Sequence, residues 1–273
     1  MLAPKTDILP QRTKGIARLV TKSVAGKTRL DVFYQESAAK IRIPESYDGR
    51  MEAVLINTSG GLTGGDRIEW QMEAGADTAL TVTTQACERV YKSSGGHAEV
   101  KTVLKVGARS VLHWLPQETI LFDQGALRRT LDVELNETAE FIGLEAVLMG
   151  RKAMGEIVQT GLFRDRWRIR QAGRLIHAED VCLAGDIKAL CRRSPVLGGS
   201  LAFATLLYCG PRAEALVAKL RALFGESSAG VSHWNGKLVI RLVAAEGYDL
   251  RKMLIPAISL LRNGDPAPKV WNL

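Results

Sequence analysis

Four glycines and an aspartate make the run Asn57 to Asp66 the part of the chain best suited to a specialised backbone. Glycine adopts positive φ and lets another backbone approach closely, so the run predicts a tight turn or an anion-binding nest. A nucleotide-binding P-loop is excluded, because Gly60 and Gly65 have the required spacing but Asp66 follows where Lys is needed. The run also lacks the Gly-x-Gly-x-x-Gly spacing of a dinucleotide-binding fold.

Metal and nucleophilic chemistry have no local motif in the chain. The four histidines are far apart and none belongs to a His-Glu-x-x-His helix, whereas a catalytic metal centre needs three ligands and an open position. No Gly-x-Ser-x-Gly elbow is present, and the four cysteines include no Cys-x-x-Cys pair. We therefore predict structural roles for the histidines and reduced thiols for the cysteines.

The charge balance and the apolar segments limit the classes of partner. The 273 residues include 37 Lys and Arg against 29 Asp and Glu, a net charge of +8. This excess suggests affinity for an acidic surface, but the basic residues are interleaved with acids and no nucleic-acid-binding motif accompanies them. Met1 to Val20 holds no apolar run of signal-peptide length, and no apolar stretch could cross a bilayer. We expect a cytoplasmic protein with neither nucleic-acid nor membrane partners.

Short alternating segments in the first two thirds of the chain predict β-strands. In Glu99 to Val106 and Thr130 to Leu135, apolar and polar residues alternate with the period of two typical of a strand with one buried face. Their close spacing favours antiparallel sheets in a sandwich, barrel or coiled β layer, and no sequence repeat indicates a regular solenoid. Further strands are predicted at Leu30 to Tyr34, Met51 to Asn57, Arg67 to Glu73, Ala79 to Thr84, Val111 to Leu115 and Glu140 to Leu148.

Every second residue from Arg164 to Arg170 is an arginine, with Trp167 and Ile169 on the opposite parity. As a strand, this segment would present four guanidinium groups on one face. Two interpretations stay open: a docking surface for an acidic partner, or the solvated face of an edge strand, where positive charge discourages unwanted pairing.

Two helices are predicted near the C-terminus. Apolar residues recur with helical spacing from Leu216 to Phe224, and Gly225 follows where a helix can stop. A second apolar stripe runs from Leu250 to Leu261, with Asp249 as N-cap. Its Pro256 should kink or interrupt the helix.

No long linker or shift of composition divides the chain, so we predict a single domain over residues 1–273. The segment Gly185 to Gly199, with glycines, a proline and two adjacent arginines, is predicted to be a mobile loop.

Four sequence blocks, in this order, resemble the UreD (also called UreH) family of urease accessory proteins. The blocks are Asn57 to Asp66, Thr83 to Tyr91, Leu115 to Phe122 and Gly150 to Glu156, and the resemblance covers roughly residues 15–270. It implies a mainly β fold: a helically wound two-layer β-sheet structure with a small C-terminal helical portion of about two helices.

The resemblance also implies a role. Such a protein would be a non-catalytic scaffold and chaperone that binds UreF, through it the GTPase UreG, and the urease apoprotein. Nickel and CO2 are then installed in urease, and GTP hydrolysis by UreG agrees with the missing P-loop. No permanently bound cofactor is expected, although the family is thought to offer nickel in transit an internal passage. The C-terminal helices and the loop Arg192 to Gly199 are the predicted contacts for UreF.

The resemblance also assigns residues. Asp66, Glu118 and Glu156 are predicted contacts for nickel in transit, because carboxylate oxygens bind a divalent cation without the soft ligands that would trap it. Alternatively, Asp66 hydrogen-bonds the glycine turn and Glu156 pairs with Arg151 or Arg89. The remaining block residues are predicted to form binding or structural motifs: Gly60, Gly61, Gly64, Thr83, Gln85, Arg89, Tyr91, Pro116, Phe122 and Arg151.

Two other functional classes stay open at this stage. A hydrolytic enzyme would use Asp66, Glu118 or Glu156 as acid or base, which requires perturbed carboxyl pKa values in one pocket. A basic nucleic-acid-binding protein would bind DNA or RNA with strong salt dependence.

Overall fold

The computed structural model describes residues 11–272. Residues 1–10 and 273 lie outside the described residues. Residues 1–10 form half of the segment Met1 to Val20, for which the sequence predicts no signal peptide. The strands are β1 (Lys14–Val24), β2 (Lys27–Ser37), β3 (Ala39–Arg42), β4 (Met51–Asn57), β5 (Arg67–Ala74), β6 (Ala79–Thr84), β7 (Glu88–Val90), β8 (Ala98–Val106), β9 (Val111–Leu115), β10 (Thr119–Leu121), β11 (Ala126–Leu135), β12 (Glu140–Met149), β13 (Thr160–Gln171), β14 (Arg174–Asp186), β15 (Ala202–Cys209), β16 (Ala229–Trp234) and β17 (Lys237–Ala244). The helices are α1 (Ile187–Arg192), α2 (Ala213–Phe224) and α3 (Gly247–Leu261), with 3-10 turns at Lys152–Met154 and Lys269–Asn272.

The strands form two sheets. Sheet A has the order β14-β13-β11-β8-β5-β1-β2, and sheet B has the order β16-β17-β15-β12-β9-β6-β4-β3 with the short β7 and β10 attached beside β12. From β4 to β13 the longer strands alternate between the two sheets along the chain. The chain therefore winds helically through two layers, and the fold implied by the family resemblance is confirmed.

Strand direction differs from the expectation based on spacing. Neighbours within each sheet from β4 to β13 pair in parallel, as in β4 with β6 and β5 with β8. A chain that crosses to the other layer after each strand returns in the same direction one winding later, so the prediction of antiparallel sheets is wrong here. Antiparallel pairs occur at the ends of the winding, for example β1 with β2 and β13 with β14.

The main core lies between the two sheets. In β5, Ile68, Trp70 and Met72 are at most 7% exposed, whereas the residues between them are exposed or half-buried. Burial of a side chain such as Met72 stabilises the fold by about 1.5–3 kcal/mol. The period-two alternation in the sequence therefore marks the inward face of each winding.

A second apolar layer covers the outer face of sheet B. In β12, Phe141 and Val147 belong to the core between the sheets, while Leu144 packs in the cluster that includes Leu254 and Ile258 of α3. Because both faces are covered, β12 is an almost continuous apolar run instead of an alternating one. The helices thus leave the outer face of sheet A to solvent and charged residues.

The predicted helices are confirmed with changes at their ends. Helix α2 ends before Gly225, as expected, but α3 continues through Pro256 without interruption. Asp249 lies in the first turn of α3, where Glu246 is the N-cap residue. Within the segment predicted as a loop, Asp186 caps the short helix α1 by accepting the Ala189 N–H at 2.8 Å. None of the helices in residues 11–272 combines the length and apolarity needed to span a bilayer.

The arginine-rich segment forms β13, with Trp167 and Ile169 buried and the arginine face outward. It lies between β11 and β14, so the edge-strand interpretation is wrong: the chain turns back as β14 and covers that edge. Arg164 pairs with Asp180 at 2.9 Å. A docking role for this face stays a prediction.

Candidate functional site

The glycine run folds into a compact turn that packs on the second sequence block. A Cβ on Gly61 would lie 2.3 Å from a ring atom of Tyr91, and a Cβ on Gly64 would lie 2.1 Å from a backbone oxygen. Gly60 has a positive φ of 78° but open space around it. Close approach, therefore, explains glycine at positions 61 and 64, and backbone conformation explains it at position 60.

Asp66 holds this turn to the start of β1. One carboxylate oxygen accepts the Thr13 N–H and the other accepts the Thr63 N–H, both at 2.8 Å. The residue is only 5% exposed. Both oxygens are thus engaged by backbone donors, and a role in carrying nickel would require at least one further lone pair to be accessible.

The second block lies against the third. The Tyr91 hydroxyl donates to the Gly60 carbonyl at 3.1 Å, and the Tyr91 ring packs edge-on against Phe122 with centroids 5.0 Å apart. The Thr83 hydroxyl accepts the indole N–H of Trp271 at 3.2 Å, which ties the chain's C-terminal end to sheet B. The Gln85 backbone N–H donates to the Leu55 carbonyl, and the Arg89 carbonyl accepts the Leu62 N–H.

The fourth block closes on the same aromatic pair. The Arg151 guanidinium lies 4.2 Å from the Phe122 ring centroid and pairs with Glu156 at 2.8 Å. The hydrogen bonds from Arg151 hold the pKa of Glu156 below its ordinary value. Blocks that are distant in sequence therefore meet at one corner, formed by Gly61, Tyr91, Phe122, Arg151 and Glu156.

Glu118 has a different environment, beneath helix α3. It is 1% exposed and receives two hydrogen bonds of 2.7 Å from Arg251, next to the buried Pro116. Burial acts to raise the pKa of Glu118, but Arg251 outweighs it and holds the pKa below its ordinary value. Burial and the Glu118 charge also raise the pKa of the Cys87 thiol to about 11. This ion pair anchors α3 to sheet B.

The structure does not gather Asp66, Glu118 and Glu156 into one site. Each carboxylate has its own hydrogen-bond partners, described above. Within residues 11–272, no group of three or more acidic, histidine or cysteine side chains is arranged to hold a metal ion. A role for these three carboxylates in nickel transit stays a prediction.

The densest charged cluster lies elsewhere, inside the main core. Arg129 on β11 contacts Asp165 on β13 at 2.8 Å and Glu145 on β12 at 2.5 Å, and all three residues are at most 7% exposed. Trp114 donates to Glu145 at 3.0 Å and Trp167 donates to Asp165 at 3.1 Å. One guanidinium thus links two strands of sheet A to the opposite sheet B.

The cluster extends towards the glycine run through Glu88. Both Glu88 carboxylate oxygens accept the Asn57 side-chain N–H at 3.2 Å, and the Glu88 charge acts on Arg129. Burial raises the pKa of Glu88 to about 7. Burial likewise raises the pKa of Glu145, against the opposing effect of Arg129. Near neutral pH, the Glu88 and Glu145 carboxyl groups are therefore partly protonated and so partly uncharged.

On the other side, the cluster continues through Trp167 to His177 and Glu179. The Trp167 and His177 rings lie 6.3 Å apart, and His177 Nε2 is 3.4 Å from a Glu179 oxygen. Glu179 binds Arg241 of sheet B at 2.8 Å. Burial acts to raise the pKa of Glu179, but the neighbouring His177 and Arg241 side chains hold it below its ordinary value.

We call this set the interior polar row; its members are Glu88, Arg129, Glu145, Asp165, His177 and Glu179. Two of its buried atoms, Glu145 Oε2 and His177 Nε2, make no hydrogen bond within the described residues, although Arg129 and Glu179, respectively, lie within ion-pair distance of them. None of these six residues was among the predicted site residues, although the sequence carries a signal for one of them. Arg129 stands between the apolar Leu127 and Leu131 on the inward parity of its strand, where a charge is unexpected.

Fold and site together define a class: a helically wound two-sheet β protein with charged residues buried between its layers. The family model described as UreD urease accessory protein matches residues 13–272. A urease accessory protein UreD from Rhizobium leguminosarum bv. trifolii is 61% identical over 273 residues, covering 100% of both chains.

More distant relatives give the same result. The protein of that name from Agrobacterium fabrum is 59% identical, covering 96% of this chain and 92% of the relative. The one from Mesorhizobium japonicum is 49% identical, with 97% and 96% covered. The chain belongs to the UreD family and is a urease accessory protein, so the resemblance found in the four blocks is confirmed.

Proposed function

We propose that this chain is a non-catalytic cytoplasmic scaffold for nickel insertion. It binds UreF, through UreF the GTPase UreG, and the urease apoprotein, and it holds no cofactor permanently. Nickel is its cargo and passes through it transiently. The general role of the chain, that of a urease accessory protein, follows from its membership of the UreD family.

The interior polar row is the observation that carries the proposal. It places two carboxylates, from Glu145 and Asp165, against the Arg129 guanidinium, on which the charge of Glu88 also acts. Burying charges costs several kcal/mol per ion in desolvation, and well-packed apolar residues of similar volume are often at least as stable. A scaffold with no further task has little use for such a row, whereas a path for a divalent cation needs oxygen and imidazole ligands inside the protein.

The protonation behaviour of the row fits transit better than permanent binding. Burial raises the pKa of Glu88 to about 7, so near neutral pH a proton competes with a cation for this carboxyl. Arg129 sits between Glu145 and Asp165 and competes with any cation for their oxygens. Both effects weaken cation binding, as a passage requires.

The row also spans the protein. It starts at Glu88, which contacts Asn57 in the glycine run, and ends at Glu179, which binds Arg241, whose side chain is 55% exposed. Asp66 and Glu156, near the glycine run and the corner it contacts, are proposed as outer contacts for nickel on that side. Glu118 keeps its place in the proposal as a carboxylate that could meet nickel only if Arg251 released it.

No observation favours the two rival classes. The hydrolytic hypothesis uses Asp66, Glu118 or Glu156 as acid or base, and each of these carboxylates is engaged by hydrogen-bond or ion-pair partners of its own. For the nucleic-acid hypothesis, Arg164 on the arginine face is already paired with Asp180.

The proposal is tested by co-expressing urease and the other accessory proteins with and without this chain. We expect urease purified without it to lack nickel and activity, and fully loaded urease would refute the scaffold role. Within the row, Glu145→Gln and Asp165→Asn should lower the nickel content of urease while UreF still co-purifies. Glu137→Gln, at an exposed surface position, is the matched control.

The outer contacts are tested in the same way. Asp66→Ala and Glu156→Ala should leave the complex with UreF intact and lower urease activation. Undiminished activation by both variants would remove these two residues from the proposed path and leave the interior polar row and Glu118 as its acidic parts.

A further inference from the structure

An apolar groove with a volume of about 210 Å³ lies beside the fourth sequence block. One wall comes from the end of β12 and the segment after the 3-10 turn, with Met149, Ile157 and Val158. The other wall comes from α1 and the loop that follows it, with Ile187 and Leu201. The groove is separate from the interior polar row.

The mouth of the groove is apolar and open to solvent. Ile157 is 55% exposed and Leu201 is 37% exposed, and Met154, three residues before Ile157, is 72% exposed. Adjacent exposed apolar side chains surrounded by polar residues are typical of a protein interaction site. Neither the fold nor the interior polar row accounts for these side chains.

The walls of the groove are held in place before any partner binds. Ile187 and Val158 are at most 4% exposed. The Met149 N–H donates to the Leu201 carbonyl at 2.7 Å, and the Gly199 N–H donates to the Cys191 carbonyl at 2.8 Å. Binding here therefore orders little of this chain, which reduces the entropic cost of association.

The size of the groove selects the kind of occupant. Pockets for free small molecules typically hold about 300–1,000 Å³, and this groove is smaller and open along its length. Its volume suits one or two apolar side chains that project from a partner protein, as in the anchor positions of protein interfaces.

The rim of the groove selects the charge of the occupant. Lys188 and Arg192 line the groove, and Arg193 follows Arg192 in the chain. Within the described part of the chain, no carboxylate lies within ion-pair distance of any of these three cations. The nearby Asp186 already caps α1. Unneutralised cations around an apolar floor are complementary to apolar anchors flanked by carboxylates.

We propose that this groove docks a segment of a partner protein that carries apolar anchor residues flanked by Asp or Glu. The inference deepens the proposed function, on which it rests for the existence of a partner. Ile157, Leu201 and Val158 receive the anchors, and Lys188, Arg192 and Arg193 face the carboxylates.

The test uses the full chain with three probes: purified UreF, purified urease apoprotein, and a short peptide with two leucines flanked by glutamates. Ile157→Asp and Leu201→Asp should each weaken binding of the peptide at least about tenfold, and should weaken binding of either UreF or the urease apoprotein by the same factor. Leu175→Asp, at a 48% exposed position of β14, is the matched control. Arg192→Glu should weaken binding more at low salt than at high salt, unlike the control Arg29→Glu at an exposed position of β2.

The outcomes separate this proposal from the proposed function. If wild type binds UreF or the apoprotein and the groove variants bind equally well, the docking site is wrong and the scaffold role stands. If wild type binds neither protein but binds the acidic peptide in a groove-dependent way, the scaffold role fails and the groove stands. Equal binding of a peptide with lysines for glutamates, or groove-dependent binding of anionic lipid vesicles instead of the acidic peptide, would overturn the proposal.

Discussion

Replacing Glu88 with glutamine should stabilise the fold at alkaline pH and impair nickel delivery at the same time. The Glu88 side chain is half-buried against Asn57, and burial raises the pKa of its carboxyl from an ordinary 4.5 to about 7. Glutamine keeps the size of the side chain and cannot ionise. The substitution therefore removes a charge that the fold resists, together with a ligand that the proposed path uses.

The magnitude follows from the difference between the two pKa values. Between pH 4.5 and about 7 the folded state holds a proton that the unfolded state has lost, so stability falls as the pH rises through this window. Each tenfold difference in proton affinity corresponds to about 1.36 kcal/mol, which makes the full penalty about 2–3 kcal/mol after allowance for partial solvent access. Glu88→Gln should show no gain below about pH 4.5 and the full gain at about pH 8.

Urea unfolding at both pH values, followed by tryptophan fluorescence, measures this difference. Glu137→Gln serves as the control and should give the same midpoint as wild type at each pH. A Glu88→Gln variant that is no more stable than wild type at about pH 8, or that gains equally at both pH values, would refute the reasoning. Urease co-expressed with this variant should contain less nickel despite the more stable scaffold.

Three further predictions concern the elements that support the site. Gly64→Ala should lower the unfolding free energy by several kcal/mol, because the new Cβ would lie 2.1 Å from a backbone oxygen. At Gly60 a new Cβ would meet no atom within 4 Å, so Gly60→Ala should cost only about 1 kcal/mol, from its positive φ. Equal losses of stability for the two variants in urea unfolding would contradict this explanation. Arg251→Ala should cost about 3–5 kcal/mol by leaving Glu118 buried without its partner, and an unchanged urea midpoint would show that the pair does not anchor α3. In a native thiol titration the exposed Cys182 should react first, since burial raises the pKa of the other three thiols, and simultaneous reaction of all four would be inconsistent with the structure.

Individual elements could be predicted from the sequence because they depend on local patterns. The predicted strands Met51 to Asn57, Ala79 to Thr84 and Val111 to Leu115 have the same bounds in the structure. The helix ending before Gly225 was likewise visible in the spacing of its apolar residues. Alternation and helical periodicity involve residues only a few positions apart, so a sequence displays them directly.

Strand direction could not be predicted from the same patterns. An alternating segment looks identical whether its neighbour in the sheet runs parallel or antiparallel. The strand spacing left a sandwich, a barrel and a coiled β layer open, and only the four-block resemblance to a known family selected a helical winding. The winding places β5 beside β8 although β6 and β7 lie between them in sequence.

For the candidate site, too, some features are visible in the sequence and others arise only in the tertiary structure. The sequence by itself marked the glycine run and the four blocks, and it displayed Arg129 and Asp165 as charged residues on inward-facing parities. Only the tertiary structure brought Arg129, Asp165 and Glu145 together from β11, β13 and β12. A buried charge must find its counter-charge in space, and the winding of the chain through two layers decides which distant residues can supply it.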